Sequence, residues 1–184
     1  MTKHPKLRIS FSLISAWLEG DTDRAIATYF HIDKPKSKAM TDGSDIHDQI
    51  AKYIEENKKL PPYMPQLPLN NPKSEVYHKV SYNEKFDLSA KFDLEDLPII
   101  GEWKTGVSDS LEWSRTIQIP FYFLVGELAG LNIQKAYLAH FNQHTHTNDW
   151  LIEWNNKTAI DSAKNIIDTI GIEIWDHFTN QGLL

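Results

Sequence analysis

Cysteine is absent from the 184 residues, which excludes disulfides, thiolate zinc sites and cysteine-ligated iron–sulfur clusters. A long apolar run is missing as well. The N-terminal stretch "MTKHPKLRISFSLISAWLEGDTDR" is interrupted by acids at Glu19 and Asp21, and nothing in the chain approaches the roughly 20 uninterrupted apolar residues of a spanning helix. A soluble, cytoplasmic protein with no membrane partner is expected. Positive charge is also in short supply: the net charge is −6, which argues against a broad, non-specific nucleic-acid coat. The charge is uneven, however, with Lys3, Lys6, Arg8, Arg24, Lys34, Lys36 and Lys38 all near the start, so a local basic groove stays open.

What is present is the composition of a globular protein. Apolar residues make up 41% and aromatics 11%, enough to close a core in a single domain over residues 1–184, which at this length buries roughly 70% of its unfolded surface. "SLISAWL" sets Leu13, Ile14, Trp17 and Leu18 on one helical face, with Ser12 as the expected N-cap. "TDGSDIHDQIAKYIEE" places Gly43, His47, Ile50, Ala51 and Ile54 on one face of a second helix, and Asp42, Asp45 and Asp48 near its start suit the helix dipole.

Residues 61–72, "PPYMPQLPLNNP", hold five of the nine prolines and read as an extended connector. "EVYHKVSY", "KFDLSAKFD" and "LPIIGEWK" then read as three strands of an antiparallel meander. "TIQIPFYFLVGELAGL" follows as an apolar helix with Pro120 in its first turn or kinking it. Two more strands, "IQKAYLAHF" and "DWLIEW", precede a final helix around Thr158 to Phe178. The expected fold class is α/β, a mixed β-sheet flanked by helices.

Chemistry concentrates around "IIGEWKTG", residues 99–106. In a strand, residues i and i+2 face the same side, so Glu102 and Lys104 project together and Trp103 faces away. Asp93 is expected to end the preceding strand, and a turn through "LEDLP" brings its carboxylate toward Glu102. Two carboxylates held together repel unless they share a proton or a cation, and oxygen donors suit Mg²⁺ or Mn²⁺.

In this company the chain resembles the PD-(D/E)xK nuclease superfamily, and within it the RecB-type exonucleases, over roughly Ser10 to Tyr122. "ISFSLISAW" looks like the family's serine-containing helix start, and "GSDIH" its Gly-x-x-x-His motif with Gly43 and His47. "SEVYHKV" supplies Glu75 where the family often has an acid opening a strand. "AKFDL" matches Asp93 to the metal-binding aspartate, "GEWKTG" matches Glu102 and Lys104 to the acid-x-lysine motif, and "QIPFY" matches Gln118 and Tyr122 to the Gln-x-x-x-Tyr helix motif.

The resemblance implies a restriction-endonuclease-like fold and metal-dependent, exonucleolytic hydrolysis of DNA. Mg²⁺ or Mn²⁺ would be held by His47, Asp93, Glu102 and the backbone carbonyl of Trp103, with Lys104 orienting the attacking water. Gln118 and Tyr122, four apart, would share a helix face and contact DNA or the lysine. Ala90 stands where many relatives have glycine, and Glu102 where many have aspartate. No helicase motif is present, so a motor would be another chain, and a helicase or other protein is a candidate partner.

Two alternatives remain beside this reading: a nuclease-fold module that binds DNA or protein without turnover, and a hydrolase of small phosphoesters. "HFNQHTHTND", with His140, His144 and His146, reads as a polar hairpin loop and not as a zinc site.

Overall fold

The computed structural model describes residues 5–32, 38–105, 117–142, 147–154 and 158–184. Six strands form one mixed sheet: β1 (Leu7–Ser10), β2 (Lys73–Ser81), β3 (Phe86–Asp96), β4 (Ile99–Thr105), β5 (Lys135–Asn142) and β6 (Thr147–Trp154). The helices are α1 (Phe11–Leu18), α2 (Thr22–Tyr29), α3 (Lys38–Asn57), α4 (Ile119–Leu128) and α5 (Thr158–Asn180). The mixed α/β class and the antiparallel β2–β3–β4 meander agree with the sequence reading. β4 and β5 run parallel, with α4 in the crossover between them, and β6 pairs antiparallel with β5. Among the described residues no helix is long and apolar enough to cross a membrane.

Several expectations need correction. The strand Leu7–Ser10 and the helix Thr22–Tyr29 carry too few residues for their periodicity to stand out, and the sequence reading lacks both. The N-cap of α1 is Ser10, not Ser12: its extended backbone ends β1, and its hydroxyl accepts the Leu13 N–H. α3 starts at Lys38, a turn earlier than expected, so Asp42, Asp45 and Asp48 lie beyond its first turn. β3 continues past Asp93 to Asp96, which leaves only Leu97 and Pro98 to connect it to β4. His140 belongs to buried strand β5 and not to a solvated loop; His144 and His146 fall outside the described residues. Pro120 does sit in the first turn of α4, where its missing N–H costs no helical bond.

Two apolar clusters hold the sheet. The larger packs Leu7, Ile9, Phe86, Leu88, Phe92 and Ile100 against α1, α4 and α5. The smaller joins Ile50 and Ile54 of α3, Leu60 and Met64 around the proline-rich connector, and Leu94, Trp103 and Ala139 of the sheet. Alternation along β4 sends Ile100 to the first and Trp103 to the second.

β3 is where the strand layout produces a site. β2 covers one of its edges from Asp87 to Glu95. The other edge is shared: β1 pairs with Phe86 to Ser89, and β4 pairs with Leu94 to Asp96. Between those stretches, from Ala90 to Asp93, that edge has no strand partner among the described residues.

Candidate active site

Asp93 lies at the point where β4 parts from β3. The last ladder pair is Leu94 with Gly101, so the next position inward sets Asp93 opposite Glu102 on the same face. In place of a further rung, the Asp93 carboxylate accepts the Trp103 backbone N–H at 2.8 Å. A side chain completes the ladder where the backbone opens. Gly101 makes this approach possible, because a Cβ there would lie 3.1 Å from both the Leu94 side chain and the Trp103 ring.

Glu102 is 5% exposed and Asp93 6%. Both line one cleft of about 500 Å³ together with His47, Lys104, Gln118 and Tyr122, so residues from α3, β3, β4 and α4 converge as the motifs imply. Both oxygens of the Glu102 carboxylate are engaged: Lys104 Nζ donates at 2.8 Å and Gln118 Nε2 at 2.6 Å to one, and the Tyr122 hydroxyl at 3.0 Å to the other. Gln118 also donates to the Tyr122 oxygen at 2.8 Å, confirming that the two share a helix face. Lys104 and Glu102 do project together, and Trp103 faces the small cluster.

The His47 Nδ1 lies 3.5 Å from Asp93. His47, Glu75 and Asp93 bring one donor atom each to within 4.8 Å of one another. Glu102 and Trp103 are not in that group. Glu102 turns its oxygens to α4 and Lys104, and the Trp103 peptide presents its N–H to Asp93.

Glu75 takes the position that the motif reading noted but did not count as a site residue. Its signal was available: with β2 and β3 antiparallel about the turn at Glu84, Glu75 and Asp93 lie nine residues either side and face each other. The ladder pairs Ser74 with Leu94 and Val76 with Phe92 but skips the acids between them, and Glu75 has φ +55°. A left-handed residue with a side chain costs on the order of 1–3 kcal/mol and is retained where surrounding structure or function requires it. Lys91 on β3 forms an ion pair with Glu75.

Charge is poorly tolerated here unless compensated. Burial, and then the neighbouring Asp93 charge, push Glu102 up to about 7, against the opposing pull of Lys104. Asp93 goes the other way. Burial raises it, but the His47 hydrogen bond and charge, the Trp103 N–H and Lys104 together hold it below the usual carboxylate range. Burial depresses His47, yet Asp93 first and then Glu102 and Glu75 outweigh it and leave the imidazole more basic than usual. Burial and Glu102 raise Tyr122 well above an ordinary tyrosine, so its hydroxyl stays a donor. The site thus carries an excess of acid that protons, Lys91 and Lys104 share in neutralising.

No family model and no curated protein matches the chain. Solved structures do. A candidate exonuclease from Eubacterium rectale superposes with a TM-score of 0.63 at 11% identity, covering 93% of this chain and 82% of that one. An alkaline exonuclease from Laribacter hongkongensis superposes with a TM-score of 0.50 at 11% identity over 96% of this chain and 93% of its own, and it has also been solved in complex with dAMP. The fold is one that exonucleases use. At such identities the likeness is one of architecture alone, and the chemistry rests on this chain's own cleft.

Proposed function

We propose that the protein is a divalent-metal-dependent deoxyribonuclease of the PD-(D/E)xK type, exonucleolytic and RecB-like. The observation that carries this reading is the convergence of His47, Asp93, Glu102, Lys104, Gln118 and Tyr122 in one cleft, on a fold shared with exonuclease structures. The dAMP complex of the Laribacter enzyme supports a nucleotide-bearing substrate.

The donor set fits a hard dication. His47, Glu75 and Asp93 offer an imidazole and two carboxylates within a single coordination sphere's reach, a mixture suited to Mn²⁺ or Mg²⁺. Lys91 and Lys104 ion-pair with the acids Glu75 and Glu102, and Glu102 and His47 both hold protons more tightly than usual, so a cation would take the place of protons that the clustered acids otherwise retain. The family resemblance adds Glu102 and the Trp103 carbonyl to this shell; Glu102, whose oxygens here meet Lys104, Gln118 and Tyr122, would exchange one of these donors for the cation. When bound, the cation supplies Lewis-acid polarisation of the phosphate and a lowered pKa for the attacking water.

The chain's own residues do the rest. Lys104 orients the water and offsets charge that builds on the phosphate in the transition state. Gln118 and Tyr122 hold the Glu102 carboxylate in one orientation, and His47 and the Trp103 N–H fix Asp93. Such preorganisation reduces the rearrangement needed at reaction.

Incubation with linear and circular DNA, in Mn²⁺, Mg²⁺ or chelator, tests the proposal. Metal-dependent loss of the linear substrate is expected, and Lys104→Ala should lower the rate about 10²–10³-fold with metal affinity retained. A second reading, a nuclease-fold module that binds without cleaving, is favoured by one observation: every Glu102 oxygen is already engaged by a protein donor. Absence of cleavage with every metal, alongside measurable DNA binding, would decide for it.

A further inference from the structure

We infer that Tyr77 and Lys91 form a subsite for the nucleotide beside the scissile phosphate, and that the cleft accordingly takes an unpaired DNA strand and not an intact duplex. This rests on the nuclease reading above and specifies the form of its substrate.

The register places the pair. Tyr77 of β2 lies directly opposite Lys91 of β3. Lys91 forms an ion pair with Glu75, and Tyr77 and Lys91 line one cleft with Asp93 and His47, so both stand beside the metal-capable cluster. Two residues of strand span roughly 7 Å, which puts an aromatic ring and an ammonium within reach of a sugar and base attached to a phosphate held at Asp93. Both side chains line the same cleft as Asp93 and Glu102.

Neither residue is explained by packing. Tyr77 is 56% exposed, and its neighbours on that face are charged. An exposed tyrosine costs solvation without contributing to a core, whereas a base stacked on it contributes about 1–3 kcal/mol. Lys91 pairs with Glu75. With a dication at Glu75, Lys91 would no longer be needed to neutralise that acid, and its ammonium would be available to a phosphate oxygen. One stacking surface beside one cation is the minimal unit of single-strand recognition, and here it lies in a chain whose net charge of −6 offers little general attraction for DNA.

The unpaired strand follows from geometry. Asp93 and Glu102, 6% and 5% exposed, lie on the floor of a cleft of about 500 Å³, a volume in the range of small-molecule sites. A base still inside a duplex has both faces covered by its neighbours and cannot stack on Tyr77 until it leaves them.

The test measures binding of a fluorescein-labelled oligo-dT and of a blunt-ended hairpin duplex by anisotropy, with Ca²⁺ replacing Mg²⁺, and cleavage of both with Mg²⁺ or Mn²⁺. Wild type should prefer oligo-dT. Tyr77→Ala should weaken oligo-dT binding about 5- to 150-fold, Tyr77→Phe and Tyr77→Trp should retain it, and the blunt duplex should be unaffected. Lys91→Ala should lower the salt slope of oligo-dT binding by about 0.7. Wild-type cleavage combined with unchanged oligo-dT binding by Tyr77→Ala, or with equal wild-type affinity for the duplex, overturns the subsite and leaves the nuclease reading standing. A wild type that neither binds nor cleaves DNA overturns both.

Discussion

On one side of the sheet α1, α4 and α5 close over Phe86, Leu88, Phe92 and Ile100; on the other, α3 and a proline-rich segment cover little more than Leu94, Trp103 and Ala139. The candidate site draws on both. Glu102, Gln118 and Tyr122 belong to the thick side, where Tyr122 packs on Phe92 with ring centroids 5.0 Å apart, while His47 comes from α3 on the thin side. The contrast assigns different tasks to the two halves. The thick side holds Glu102 rigidly through three hydrogen bonds, and the thin side carries the helix that brings an imidazole to Asp93 across 3.5 Å. On the proposed reading, rigidity is placed where an acid has to be oriented, and the lighter layer where His47 would meet an ion.

The comparison can be broken most directly by core truncation. Phe92→Ala should cost about 3–5 kcal/mol in chemical denaturation, and Ile54→Ala should fall near the lower end of about 2–5 kcal/mol, because it belongs to the smaller cluster. Equal losses would mean that the two layers are energetically alike. A smaller and more selective effect is expected from His47→Ala, which should weaken Mn²⁺ binding about 10- to 100-fold in calorimetry. Gln118→Ala, acting from the thick side, should lower the cleavage rate more than the metal affinity.

The metal-free protein sharpens the contrast through pH. The folded-state value of Glu102 is raised from 4.5 to about 7, so its contribution to stability is fully present below about 4.5 and is lost as pH rises through about 7. His47, raised above 6.5, acts in the same direction at higher pH. Asp93, lowered below 3.8, contributes above that value and loses its contribution as pH falls. The melting temperature without metal should therefore fall between pH 5 and pH 8, and saturating Mn²⁺ should reduce or reverse the fall. A flat metal-free profile would show that the excess acid is compensated within the protein.

The smallest effect concerns Glu75. Glu75→Asn keeps a residue that tolerates φ +55° and removes one of the cluster's carboxylates, so metal-free stability should rise by about 1 kcal/mol while Mn²⁺ affinity falls. Unchanged affinity would remove Glu75 from the ligand set and leave its backbone strain unexplained.

Much of this was legible in the residues. Proline clustering marked the connector, alternation set Glu102 and Lys104 on one side of β4, and the spacing of Gln118 and Tyr122 placed both on one face of α4. Leu7–Ser10 and Thr22–Tyr29 were not read because four and eight residues are too short for a period to be distinguished from chance. Ser12 was mistaken for the cap because both serines precede the apolar face, and only β1 reveals that Ser10 ends an extended segment. Glu75 was legible through its equal spacing with Asp93 about the Glu84 turn, and the β2–β3 register bears that spacing out.

By itself the sequence determined which side chains were available and how they alternate, since those depend on local geometry: two residues per strand repeat and about 3.6 per helical turn. Only the tertiary structure decided that β1 and β4 share one edge of β3 and part at Asp93, and that α3 reaches the gap so formed. Those choices depend on which elements pack together over long separations in the chain, and the partners they bring separate the two acids: burial raises both, but His47, the Trp103 N–H and Lys104 hold Asp93 low, while the Asp93 charge pushes Glu102 further up.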